Sequence, residues 1–150
     1  MSDNAFIHKE LFWLTVGRQL GQGMTRNVWT VRNRDDLVIK TEEGGRSFDN
    51  IREWEIWNAV VGTPFERCFA PIVNISSCGS VMVMRRTVPP QVKDLPEWVP
   101  VFINDCHYHN FGMLDGRLVC HDYANSPMLK TGLHWRFTRA AWHGERPGER

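Results

Sequence analysis

No stretch of this 150-residue chain stays apolar for long. A membrane helix needs about 20 such residues in a row, so a membrane partner is not expected. An excess of one charge is also missing: 18 Lys and Arg stand against 17 Asp and Glu, a formal net charge of +1. That removes the electrostatic case for nucleic acid or an anionic lipid surface. The opening residues, MSDNAFIHKELFWL, carry Asp3 and Glu10 and lack a secretory signal pattern. No internal repeat or low-complexity segment is visible. Cysteine is sparse: Cys68, Cys78, Cys106 and Cys120. Without a secretion signal they are expected as reduced thiols. Zinc held by Cys106, His109, Cys120 and His121 is the alternative, but C-x2-H followed by an adjacent C-H is not a standard ligand spacing. Adjacent residues of a strand also point to opposite faces.

What the chain does have is enough apolar residue for one ordinary core, 42% of its length, so residues 1–150 are expected to form one domain. Residues 1–14 read as a short helix or an arm. TVGRQLG (Thr15–Gly21) reads as a strand running into a Gly-rich turn, and NVWTVR (Asn27–Arg32) alternates as a strand does. Asn33–Asp36 is a polar turn, and Leu37–Lys40 a third strand, which gives an antiparallel meander of two hairpins. EEGGR (Glu42–Arg46) breaks the pattern. Ser47 is a candidate N-cap for a helix over Phe48–Val61. On it Glu53, Ile56, Trp57 and Val60 share one face by their i, i+3, i+4, i+7 spacing. Two further strands follow, Pro71–Ser76 and Ser80–Arg86, joined at Cys78-Gly79. Val88–Pro100 is a proline-rich connector with at most one helical turn near Trp98. His134–Trp142 is expected as a short helix, and the closing GERPGER as solvated and mobile. Seven tryptophans suit core packing or a partner surface.

The densest chemistry lies in NDCHYHNFGMLDGRLVCHD (Asn104–Asp122). Asp105 and Asn110, five residues apart on a loop, can face one cleft. A hairpin turning at Asp115-Gly116 can deliver Asp122 to the same place. Oxygen ligands of this kind suit Mg²⁺, which keeps waters and shares itself with phosphates. Upstream, Gly21 and Gly23 sit between two strands, where glycine lets backbone amides approach a phosphate. Lys40 ends an apolar strand, and Glu53 lies on an apolar helix face, where a buried carboxylate needs a cation. Each feature alone has a plain reading: a turn, a lysine reaching to water, a helix-edge Glu, loop-turn chemistry. Their fixed order is what adds weight.

Through GQGMTRNV, VIK, Glu53, DCHYHN and the Asp of CHDYA, the sequence resembles the protein-kinase-like superfamily, over roughly Thr15 to Tyr123. The D-x-H-x-x-N form is similar to the bacterial and phage variant. The resemblance implies an α+β fold. A five-stranded antiparallel sheet with one packing helix would form a kinase-like N-lobe (1–87). A much reduced C-lobe (88–150) would carry a catalytic loop and a β-hairpin. It implies that Gly21 and Gly23 cover the phosphates of ATP, that Val28 is among the nucleotide-binding residues, and that Lys40 holds two of these phosphates and pairs with Glu53. Asp105 would be the catalytic base, with Asn110 and Asp122 as Mg²⁺ ligands. Met84 would open the hinge that bonds adenine. Arg26 replaces a third glycine and has a guanidinium suited to phosphate. Tyr123-Ala124 stands where Phe-Gly is usual, and the lobe that docks substrate is nearly absent.

The expected function is therefore ATP–Mg²⁺-dependent phosphoryl transfer to a hydroxyl, on a protein before a small molecule. The missing platform would come from the substrate or from a second copy, as a homodimer. The place of work would be the cytoplasm of a bacterium or of a phage-infected host. The rival expectation is a non-catalytic kinase-like module that binds and regulates a partner protein, with Trp135 and Trp142 as exposed aromatics.

Overall fold

The computed structural model describes residues 3–43 and 47–148, with side chains from Lys9 onward. The chain divides into two compact units: Met1–Asn50 with Ile72–Arg86, and Ile51–Pro71 with Thr87–Arg150.

The first unit contains helix α1 (Asp3–Thr15) and strands β1 (Val16–Gln22), β2 (Arg26–Val31), β3 (Arg34–Glu42), β4 (Ile72–Ile75) and β5 (Val81–Arg85). The strands form one five-stranded antiparallel sheet in the order β1-β2-β3-β5-β4. This is the α+β class expected from the sequence. β3 lies between β2 and β5, and its run Leu37-Val38-Ile39 is buried residue after residue, as an apolar run bounded by polar turns allows. β5 alternates instead, with Met82 and Met84 fully buried and Val81, Val83 and Arg85 half-buried.

The turn before β3 is shorter than expected. Asn33 takes φ +61°, a left-handed conformation that Asn tolerates. Arg34 already belongs to β3, and it shares a strand face with Asp36. Its guanidinium donates to both Asp36 oxygens, at 2.8 and 2.9 Å, which holds that carboxyl at about 2.

Helix α2 spans Asp49–Val60. The expected Ser47 cap is replaced. Glu42 Oε2 accepts from Ser47 Oγ at 2.8 Å and from the Asp49 amide at 3.0 Å. A carboxylate is the stronger acceptor for a helix amide, so Ser47 spends its hydroxyl on the Glu. Residues 44–46 of the Gly-rich break lie outside the described residues.

The second unit takes the body of α2, whose Ile56, Trp57 and Val60 are buried as the stripe predicts. A 3-10 turn follows over Pro64–Cys68, capped by the Thr63 hydroxyl, which accepts from the Phe65 amide. The aromatic core centres on Phe69, with Phe102 stacked at 5.9 Å and Tyr123 edge-on at 4.9 Å. Two small antiparallel sheets pair β6 (Trp98–Pro100) with β9 (Phe137–Arg139), and β7 (Phe111–Leu114) with β8 (Arg117–Cys120). The latter hairpin turns at Asp115 (φ +49°) and Gly116 (φ +76°), the paired positive φ of a I′ turn.

Two local expectations fail. The segment at Trp98 is strand rather than helix, the 3-10 turn lying earlier at Val92–Asp94. The expected helix over His134–Trp142 contains strand β9 instead. Both fail for one reason: each strand is the other's partner, with Trp98 opposite Arg139 and Pro100 opposite Phe137. Such a pairing leaves no local periodicity to read. A short helix, α3 (Met128–Thr131), lies between. The stretch expected to be solvated is largely exposed over Gly144–Gly148, and residues 149–150 lie outside the described residues. Among the described residues, no helix is long and apolar enough to cross a membrane.

Candidate active site

In the first unit, the sheet register sets Gly21 opposite Val28, Val28 opposite Lys40, and Lys40 opposite Met82. Directly opposed residues of antiparallel strands share a face, so the register alone aligns two sequence-selected positions, Gly21 and Val28, beside Lys40. Lys40 is only 4% exposed, which rules out the plain reading of a strand-end lysine reaching to water. Gly23 closes the β1–β2 turn, its amide donating to the Arg26 carbonyl at 2.8 Å. Arg26 is buried, and its guanidinium donates to Asn50 Oδ1 at 3.4 Å. Asn50 in turn donates to the carbonyls of Lys40 (3.3 Å) and Gly79 (2.9 Å). Met84 lies within β5 with its side chain fully buried.

The glycines of this sheet fall into two kinds. A Cβ on Gly17 would lie 2.2 Å from Thr30 Oγ1, so packing requires that glycine. A Cβ on Gly21 would meet nothing within 4 Å, and one on Gly23 only the Arg26 carbonyl at 3.6 Å. Neither packing nor a positive φ demands glycine at 21 or 23.

In the second unit, the loop and hairpin converge as the spacing predicts. A 3-10 turn over Tyr108–Asn110 is capped by His107 Nδ1, which accepts from the His109 amide at 3.2 Å. β7 then pairs Phe111 with Cys120, and the Asn110 carbonyl accepts from the amides of His121 (2.8 Å) and Asp122 (3.3 Å). The hairpin's open end thus sets Asp122 beside Asn110. Asn110 Nδ2 donates to the Asp105 carbonyl at 3.3 Å. Asp105, Asn110 and Asp122 line one cavity, whose wall includes Phe69, Phe102 and Tyr123.

Glu53, fully buried, accepts the Tyr123 amide at Oε1 at 2.8 Å. The Tyr123 hydroxyl donates to the Ala70 carbonyl at 3.0 Å. The peptide just after Asp122 is therefore clamped by an acid 70 residues earlier. Nothing in the sequence pattern points to that bond. The Asp105 carboxylate also has an unforeseen neighbour: His143 Nε2 donates to Oδ1 at 3.2 Å.

Three of the four residues of the zinc alternative, His121, Cys120 and Cys106, are engaged or buried locally. His121 Nε2 donates to the His109 carbonyl and its Nδ1 accepts the Thr87 hydroxyl, both at 2.7 Å. Because a carbonyl only accepts, Nε2 carries the proton. Cys120 Sγ donates to the Asp122 carbonyl at 3.3 Å, and burial pushes the Cys106 thiol up, away from the thiolate a metal needs. Among the described residues, no three His, Cys, Asp or Glu side chains gather as a metal site. Trp142 is not the exposed aromatic expected: it is half-buried, stacked on Tyr108 at 5.8 Å and edge-on to Phe111 at 4.9 Å.

No protein-family model matches this chain. No curated protein matches it either. Solved structures do match. One is the streptomycin–ATP–APH(2″)-IIa ternary complex, at 15% identity and a TM-score of 0.42. The match covers 65% of this chain and 34% of that one, so the chain spans about a third of that protein's length. It is a distant likeness.

Proposed function

We propose that the chain is a minimal ATP- and Mg²⁺-dependent phosphotransferase of protein-kinase-like type that passes the γ-phosphate to a hydroxyl on a protein. The observation that carries this reading is the cavity shared by Asp105, Asn110 and Asp122. The donor set fits a hard cation. Asn110 commits its amide nitrogen to the Asp105 carbonyl, which turns its amide oxygen into the atom on offer, and Asp122 adds a carboxylate. Bound there, Mg²⁺ would neutralise the charge of the phosphates.

Asp105 takes the proton of the acceptor hydroxyl, and Asn110 and Asp122 hold the metal. Glu53 fixes the backbone that carries Asp122. Lys40, with an ammonium withdrawn from water, binds phosphate oxygens. Val28, opposite Lys40, lies along the nucleotide, and the backbone from Met84 onward bonds its adenine. Gly21 and Gly23, which the fold does not require, leave room for phosphate against the backbone, and Arg26 stiffens that turn from behind. The phosphate acceptor's platform is supplied by the substrate protein or by a second copy of the chain.

The second reading is a non-catalytic module that binds and regulates a partner protein. Exposed Trp98 and Trp135 favour it. Transfer of labelled γ-phosphate, to the chain itself or to a bacterial lysate, separates the two. Loss of transfer in both Asp105→Ala and Asp122→Ala supports the enzyme. Equal labelling in both variants and wild type removes catalysis and leaves the module.

A further inference from the structure

The segment Ala140–Gly144 lies across the catalytic-loop candidate, and its attachments are specific. The His143 amide donates to the Cys106 carbonyl, and the His143 carbonyl accepts from the Tyr108 amide, both at 3.1 Å. These bonds bracket His107, which forms a parallel bridge with His143. One residue earlier, Trp142 stacks on Tyr108 and donates Nε1–H to the Pro96 carbonyl at 2.8 Å. One residue later, Gly144 takes φ +95°, and a Cβ there would lie 2.6 Å from His107 Nε2. Backbone, tryptophan and glycine together fix where the His143 ring sits. It ends 3.2 Å from Asp105 Oδ1.

We propose that His143 is the positioning residue of Asp105: the strap built on Trp142, His143 and Gly144 holds one carboxylate oxygen and leaves the other to accept the proton of the phosphate acceptor. The proposal rests on the phosphotransferase reading above. The strap thereby stands in for part of the reduced lobe. A loop carrying a base must be held close to the productive geometry, and misplacement by about 1 Å can cost roughly a hundredfold in rate. Here the restraint comes from a segment 38 residues downstream. The groups facing the His143 ring are Asp105 and the ring of His107, with centroids 5.0 Å apart. Asp105 is the charged one, and the neutral Nε2–H tautomer suffices for the bond.

The step served is conventional in its balance. As the acceptor oxygen bonds the γ-phosphorus, its proton passes to the Asp105 oxygen not held by His143. The β,γ-bridging P–O bond breaks with its electron pair leaving on the nucleoside diphosphate. His143 neither gains nor loses a proton.

The test uses the full chain, ATP as donor, and phosphorylation of the chain itself as readout. In His143→Ala, kcat is expected to fall about tenfold to a hundredfold with KM for ATP unchanged within about twofold. In His143→Gln, whose amide nitrogen can take the place of Nε2, the rate is expected to recover most of the loss. Wild-type turnover in His143→Ala while Asp105→Ala is inactive overturns the positioning role and leaves the phosphotransferase reading standing. Wild-type turnover in Asp105→Ala overturns both. Should His143→Ala fail to fold, the ring-nitrogen NMR shifts of His143 in wild type and in Asp105→Asn decide the contact: a change in Nε2 supports it, and identical shifts overturn it.

Discussion

The β1–β2–β3 meander and the loop-and-hairpin region from Asn104 to Tyr123 each carry sequence-selected residues, and they are built in opposite ways. In the meander, neighbours in space are neighbours in sequence. Val28 faces Lys40 across one hairpin, and Trp29 Nε1 donates to Thr41 Oγ1 twelve residues on. In the loop region, the bonds that fix the chemistry come from far away: Glu53 on the Tyr123 amide, Thr87 on His121, His143 on Asp105. A sheet can place a lysine by register alone. A loop has no register, so its carboxylates hold position only through such long-range bonds, and its geometry is the more fragile of the two.

The largest effects should therefore appear in the aromatic core beneath the loop. Phe102 is fully buried and contacts the rings of Phe69, Phe65 and Trp135. Phe102→Ala should cost about 3–5 kcal/mol, read as a shift of the urea midpoint. It should also remove the proposed metal-dependent phosphoryl transfer, because Phe102 walls the cavity of Asp105 and Asp122. Met82→Ala, fully buried in the sheet, should cost about 2–5 kcal/mol while disturbing the loop less. Equal loss of loop protection in the two variants, by hydrogen exchange, would erase the contrast.

Next in size is the clamp on Tyr123. Glu53→Ala leaves a buried amide without its acceptor, at about 1–3 kcal/mol, whereas Glu53→Gln keeps an oxygen there and should lose less. Faster exchange of the Tyr123 amide in Glu53→Ala, but not in Glu53→Gln, is the measurement. Equal exchange in the two would show that the oxygen at Oε1 is not what holds the amide.

The same contrast explains what the sequence revealed. Alternation in NVWTVR, the apolar run Leu37–Ile39 and the helical stripe of Ile56, Trp57 and Val60 each report their element locally, so the five-stranded sheet was legible. The Asp115-Gly116 turn was legible because its two positive φ values need those residue types. The convergence of Asp105, Asn110 and Asp122 could be read because the hairpin between them is itself local. β6 and β9 could not, since their only partners are each other. His143 was hidden for the same reason, and so was Glu42, which caps α2 from the end of a strand.

Glycine substitutions sharpen the comparison at smaller scale. A Cβ on Gly112, in β7, would lie 2.2 Å from Thr87 Oγ1 and 3.0 Å from the Val88 carbonyl. Thr87 is stiff at χ1 and already bonded to His121, so Gly112→Ala should cost about 1–3 kcal/mol. Gly21→Ala meets nothing and should leave stability within about 1 kcal/mol, on the stabilising side, while weakening Mg-ATP binding as read by titration calorimetry. Unchanged affinity would remove Gly21 from the proposed phosphate cradle.

The smallest effect belongs to the sheet's far turn, where Cys78 is exposed between two hydroxyls. Ser80 Oγ lies 2.9 Å from its sulfur and Ser76 Oγ 3.7 Å. Donation by Ser80, then Ser76, to the thiolate brings the Cys78 pKa down to about 7. Burial pushes the thiols of Cys68 and Cys106 the other way. Because the folded-state value is the depressed one, its small contribution to stability is complete above the unfolded thiol's pKa of about 8.5. It fades as pH falls through about 7. Alkylation by iodoacetamide tracks the thiolate, so native protein should modify first at Cys78 with an inflection near pH 7. Ser80→Ala should move that inflection up toward the ordinary thiol range. An inflection already in the ordinary range in wild type would show that the two hydroxyls do not hold the thiolate.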